Sequence, residues 1–111
     1  MKTKMHTLRD KNDFTRLFRR GQKFSFPGFM TATFPNRLAH SRFAFIVPNT
    51  VDKRAVARNR LRRRIREWAR INQARFNPPA DIAFLVRKEA LGISRKKLYE
   101  ELDSSISKIF G

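Results

Sequence analysis

Arg42-Phe43-Ala44-Phe45-Ile46-Val47, then Lys53 to Phe76, then Asp81-Ile82-Ala83-Phe84-Leu85-Val86 are the successive stretches that decide the fold. The first is rich in aromatic and β-branched types and is ended by Pro48, which predicts a strand. The last is an almost unbroken apolar run, the pattern of a strand covered on both faces. Between them the apolar period becomes helical. Asn77-Pro78-Pro79 stops that helix, because a residue before proline avoids the αR region. A helix between two strands is the crossover that parallel neighbours require. The expected fold is therefore α/β, an α+β two-layer sandwich with helices packed on a mixed sheet.

The flanks extend this pattern. In Asp10 to Gly21, Asn12 or Asp13 is a candidate cap, and Asp13 suits the positive end of a helix dipole. Phe14, Leu17 and Phe18 share a face, and Gly21 is placed to close the helix in the αL conformation. Residues 22–35 alternate, with Pro27-Gly28 dividing them into two short strands or bending one. Ser94 caps a last helix whose apolar positions are Leu98, Leu102, Ile106, Ile109 and Phe110. The order is α-β-β-β-α-β-α. Residues 1–9 are expected to be a basic, poorly ordered arm, and 10–111 a single domain.

Charge sets the class of partner. The net charge is +17, from 26 Lys+Arg against 9 Asp+Glu, and a folded body with that excess calls for a polyanion. Apolar residues reach 41%, including 11 Phe, so the chain can build a core. No apolar run approaches the ~20 residues of a membrane span, and the lysines near the N-terminus are followed by no apolar stretch. That favours nucleic acid over a membrane surface. The absence of cysteine excludes disulfides and thiolate metal sites and fits a cytoplasmic protein.

The helix between the strands is the main candidate surface. On a helical wheel Ala57, Leu61, Ile65, Trp68, Ala69 and Phe76 fall within an arc of roughly 120°, a core-facing stripe. Asn59, Arg62, Arg63, Arg66 and Arg70 fill the next sector, and Arg60 and Arg64 the far flank. A merely solvated face mixes signs to form i,i+4 pairs. This one has a single acid, Glu67, among eight arginines between positions 54 and 70. Arginine forks bind phosphate bidentately and stack on bases. Arg58 flanks the apolar stripe and is expected to serve the fold in part.

These residues carry a resemblance. Val51-Asp52-Lys53-Arg54-Ala55-Val56-Ala57-Arg58-Asn59-Arg60-Leu61-Arg62-Arg63-Arg64-Ile65-Arg66-Glu67 resembles the signature of the bacterial ribonuclease P protein component: Ala-Val before Arg-Asn-Arg, then a basic pair and a final Arg-Glu. Asp13-Phe14 to Phe18 and Gly21 are similar to the family's first helix, and residues 81–88 to its last strand. The resemblance implies a four-stranded sheet with a left-handed crossover, against the usual hand. It implies a non-catalytic subunit, monomeric within its complex, that binds ribonuclease P RNA and precursor tRNA. The catalytic RNA, with Mg2+ held mainly by that RNA, removes the 5′ leader. Arg58, Asn59, Arg60, Arg62, Arg63 and Arg66 would contact the catalytic RNA. Phe14 and Phe18 would line a leader cleft, with Phe29, Phe43 and Phe45 as further candidates. Pro48-Asn49-Thr50 stands where the family often has Ser-Lys-Lys, which removes two positive charges. Ala32 falls where an aromatic residue is usual, and Phe34 is the candidate substitute.

A protein-borne nuclease would need a carboxylate cluster or paired histidines. Glu100, Glu101 and Asp103 cluster, but are expected on the solvent side of the last helix, and His6 and His40 have no obvious partner. The alternative function is a general structured-RNA-binding protein, such as a small ribosomal protein. A DNA-binding role is disfavoured, since no helix in helix-turn-helix spacing precedes the arginine helix.

Overall fold

The strand–helix–strand unit is present, inside a sheet larger than expected. In the computed structural model, which describes residues 4–110, the chain runs β1 (His6–Thr7), α1 (Lys11–Arg20), β2 (Gln22–Ser25), β3 (Phe29–Pro35), β4 (Arg42–Ile46), α2 (Ala55–Asn72), β5 (Ala80–Val86) and α3 (Arg95–Phe110). The sheet order is β1-β4-β5-β3-β2. β4 and β5 are parallel neighbours joined through α2, while β3 pairs antiparallel with both β5 and β2. Five strands replace the four expected. The extra one comes from the segment read as an arm: His6 and Thr7 pair with Arg42 and Phe43, and the Leu8 N–H donates to the Phe43 carbonyl at 2.8 Å. A two-residue strand has no periodicity to read, and only the burial of Leu8 gives it an anchor. Residues 1–3 of that arm lie outside the described residues.

Alternation gives the sheet two unlike faces. Phe29, Phe43, Ile82, Phe84 and Val86 face α2 and α3 and form the main core with Leu61, Ile65, Trp68, Leu98 and Leu102. The opposite face carries a row of small side chains, Ala32–Ala83–Ala44, in register across three strands. Leu17 of α1 and Leu8 pack on that row. The methyl groups let α1 lie close to the sheet. On one side of the row lie Met30, Leu85 and Ile46, and on the other Phe34, Asp81 and Arg42. α1 therefore covers only the middle of this face and leaves a groove along each flank.

The local chemistry differs from expectation at several points. Asp10, not Asn12 or Asp13, caps α1, its Oδ1 accepting from the N–H groups of Asn12 (2.8 Å) and Asp13 (3.2 Å). Gly21 is extended (φ −71°, ψ 155°) and not αL. Close approach explains the glycine instead: a Cβ there would lie 2.4 Å from the Leu17 carbonyl oxygen and 2.7 Å from that of Thr33. Ser94 caps α3 through the Lys97 N–H, as read. The acidic cluster of α3 divides, with Glu100 and Asp103 exposed as expected and Glu101 turned inward. Glu101 is buried and accepts from the Gly28 N–H at 3.1 Å, tying the β2–β3 turn to α3. Asp103 accepts from the Trp68 indole N–H at 3.2 Å, tying α3 to α2. His6 and His40, expected to be without partners, stack on each other with centroids 3.4 Å apart. Loss of hydration, then His40 and Lys4, push His6 below its ordinary value. No described helix is long and apolar enough to cross a membrane.

Candidate nucleic-acid interface

α2 buries Leu61, Ile65, Trp68 and Ala69, so the apolar stripe faces the core as read, with Ala57 only half-buried. Its first turn has no side-chain cap and no acid, which leaves the positive end of the helix uncompensated. Asp52 organises the approach to it. Oδ1 accepts from the Arg54 N–H (2.8 Å) and Nε (3.1 Å), and Oδ2 from Nη2 (2.9 Å). The Arg54 guanidinium, then its backbone N–H, lower the Asp52 carboxyl from an ordinary 3.8 to about 2. The folded value is depressed, so this contribution to stability is present above 3.8 and is lost as pH falls through about 2. In an NMR titration Asp52 will titrate near 2, and Arg54→Ala will move it back toward the ordinary value. Arg58 Nη1 donates to the carbonyls of Asp52 and Lys53, both at 2.9 Å, so this arginine clamps the loop into α2.

The remaining predicted residues separate into two groups. Arg62, whose Nη1 donates to the Asn59 Oδ1, and Arg66 border a cavity of ≈ 200 Å³ together with Leu8, Phe14, Ala44 and Ile46. The cavity opens at the edge of β4, which is free there because β1 pairs only with Arg42 and Phe43. Asn59, Arg60 and Arg63 surround Val56 in a separate depression of ≈ 250 Å³. Arg60, Arg63, Arg64 and Arg66 form no ion pair among the described residues, whereas Arg70 pairs with Glu67. The band read on the wheel is thus two surfaces, and α2 presents unneutralised cations to both.

The aromatic candidates also divide. Phe14 and Phe18 are half-buried on one flank of α1, stacked with centroids 6.4 Å apart. Phe29 and Phe43 are 0% and 1% exposed and belong to the core beneath α2 and α3, on the sheet face opposite Phe14 and Phe18. Phe45 stacks on Phe84 at 5.6 Å on that same core side and meets the cavity only at the β4 edge. Alternation grouped Phe43 with Phe45 but could not say which face a helix would cover. Three half-buried apolar residues were missed: Ile46, which borders the cavity with Phe14, and Leu85 and Met30, which continue its row across the sheet. The available signal was their position opposite the core-facing phenylalanines in each strand.

Comparison with known proteins decides the family. The family model for Ribonuclease P matches residues 1–109. The chain belongs to the ribonuclease P protein component family. The ribonuclease P protein component of Fusobacterium nucleatum is 32% identical over 96% of this chain and 95% of its own. That of Photorhabdus laumondii is 37% identical over 80% of this chain and 74% of its own. The solved RNase P protein from Thermotoga maritima is 26% identical and superposes with a TM-score of 0.83, covering 96% of this chain and 99% of its own. The Staphylococcus aureus RNase P protein, at 24% identity and a TM-score of 0.85 over 97% of this chain and 100% of its own, shares the fold. Family membership implies a protein subunit of the tRNA-processing ribonucleoprotein ribonuclease P, with the RNase P RNA as its partner.

Proposed function

We propose that this subunit binds the catalytic RNA of ribonuclease P through α2 and holds the 5′ leader of precursor tRNA in the groove beside Phe14 and Phe18. The RNA, with its Mg2+, then cuts the leader to leave the mature tRNA 5′ end. One observation carries this reading: Arg62 and Arg66 border the same cavity as Phe14, at the free edge of β4. Cations that take phosphates and rings that take unpaired bases therefore form one path, the combination that binds single-stranded nucleic acid. Ile46 gives the cavity an apolar side, and Leu85 and Met30 continue that row across the sheet. In this reading the divalent cation is held mainly by the RNA, and the protein acts as one copy in a cytoplasmic complex.

Mixing the protein with a bacterial ribonuclease P RNA at low Mg2+ should restore leader cleavage, and no stimulation of a cognate RNA would overturn the assignment. Phe14→Ala or Phe18→Ala should weaken binding of precursor tRNA relative to mature tRNA by about tenfold, the scale of a single base–ring stack. Only the precursor carries a leader. Equal losses for both substrates would mean the rings serve packing alone.

A further inference from the structure

We propose that the opposite flank of α1 is a second RNA groove, in which Phe34 takes an unpaired base and Arg16, Arg20 and Arg37 take its phosphates. This rests on the RNA-binding reading above and adds to it a surface separate from the leader groove. Successive helical residues turn by about 100°, so with Leu17 facing the sheet, Phe14 and Phe18 lie on one flank and Arg16 and Arg20 on the other. Two cavities follow that second flank. One, of ≈ 390 Å³, is bordered by Arg16, Phe34, Arg37, Arg42 and Asp81. The other, of ≈ 570 Å³, is bordered by Arg20, Gln22, Phe34, Pro78 and Pro79. Phe34 and Pro35 are common to both. Each is as large as sites that hold small organic ligands, roughly 300–1,000 Å³.

Charge and geometry select the occupant. The carboxylates here are already engaged. Asp81 accepts from Arg42 Nε (2.8 Å) and Nη2 (2.7 Å) and from Asn36 Nδ2 (3.0 Å), and Asp13 pairs with Arg16 and Arg42. Arg20 and Arg37 form no ion pair among the described residues. Arg37 holds φ at 59°, in the left-handed region that costs a non-glycine residue free energy. Asn36 keeps it there: its Oδ1 accepts from the Leu38 N–H at 2.8 Å, and its Nδ2 also donates to the His40 carbonyl at 3.1 Å. The turn thus fixes the backbone from which Arg37 reaches the rim. Phe34 is half-buried and makes no ring–ring contact among the described residues, unlike Phe14 and Phe18. Surplus guanidinium groups alone would suit an acidic peptide. A half-buried ring with no aromatic neighbour among the described residues, set between two cavities and flanked by those groups, suits a nucleotide.

The test is photocross-linking of a 4-thiouridine-containing single-stranded hexaribonucleotide to the full chain, mapped to the residue by mass spectrometry. Adducts are expected at Phe34 as well as at Phe14 or Phe18. Arg37→Asn should weaken the Phe34 adduct about tenfold, the scale of one charge-assisted hydrogen bond to phosphate. Asparagine tolerates the left-handed backbone, so this variant should melt at or above the wild-type temperature and the weakening would not come from unfolding. Adducts at Phe14 or Phe18 alone, or a Phe34 adduct insensitive to Arg37→Asn, would overturn the second groove and leave the RNA-binding reading standing. No adducts at all would overturn both.

Discussion

Replacing both Arg62 and Arg66 with alanine will weaken binding to ribonuclease P RNA by at least about a hundredfold near physiological salt, since charge-assisted hydrogen bonds are worth about 1.5–3 kcal/mol each. It will also reduce the slope of log K against log salt by about two, one for each phosphate that is no longer neutralised. The geometry behind this is specific. Both side chains border the cavity at the open edge of β4, and Arg66 has no ion-pair partner among the described residues to hold it back. Arg58→Ala is the informative comparison. Its guanidinium is occupied by the carbonyls of Asp52 and Lys53, so its removal should lower thermal stability and change the salt slope less. Electrophoretic or fluorescence titrations at three or more salt concentrations distinguish the two cases. A double variant with an unchanged slope would show that α2 does not meet phosphate at these positions.

Arg42→Ala should destabilise the fold by about 3 kcal/mol, because it strands a buried carboxylate. Asp81 is 4% exposed and is met by two nitrogens of the Arg42 fork. The Asp81 hydrogen bond is also the main cause raising Arg42 above its ordinary value. The same guanidinium reaches Asp13 of α1 at 3.2 Å, so the substitution also loosens the helix that divides the sheet face. With total stability of order 5–15 kcal/mol, such a change is large. Adding Asp81→Asn should recover part of it, because a neutral amide costs less to leave half-satisfied than a charge. Urea unfolding of the single and double variants measures both numbers. A cost under about 1 kcal/mol for Arg42→Ala would place the pair among ordinary surface ion pairs.

Periodicity and composition were enough for the elements with strong patterns. The crossover helix, its core stripe and its charge were legible because α2 is long and its apolar and basic positions repeat at helical spacing. The two flanking strands were legible because burial on both faces leaves a continuous apolar run in β5. Cap and turn details were less so, since Asp10, Asn12 and Asp13 all have capping chemistry and only the folded backbone selects one.

The sequence by itself therefore determined that this is a mixed α/β, arginine-rich protein with one dominant basic helix, and which side of that helix faces inward. Those properties depend on spacing within a single element. The tertiary structure decided which phenylalanines are core and which border a groove, that residues 6 and 7 add a fifth strand, and that Glu101 is buried. It also decided that Arg62 and Arg66 meet Phe14 while Phe34 lies across α1 from it. Each of these depends on which element covers which sheet face. Alternation says that two faces exist, and the alanine row that seats α1 is assembled from three strands far apart in the chain.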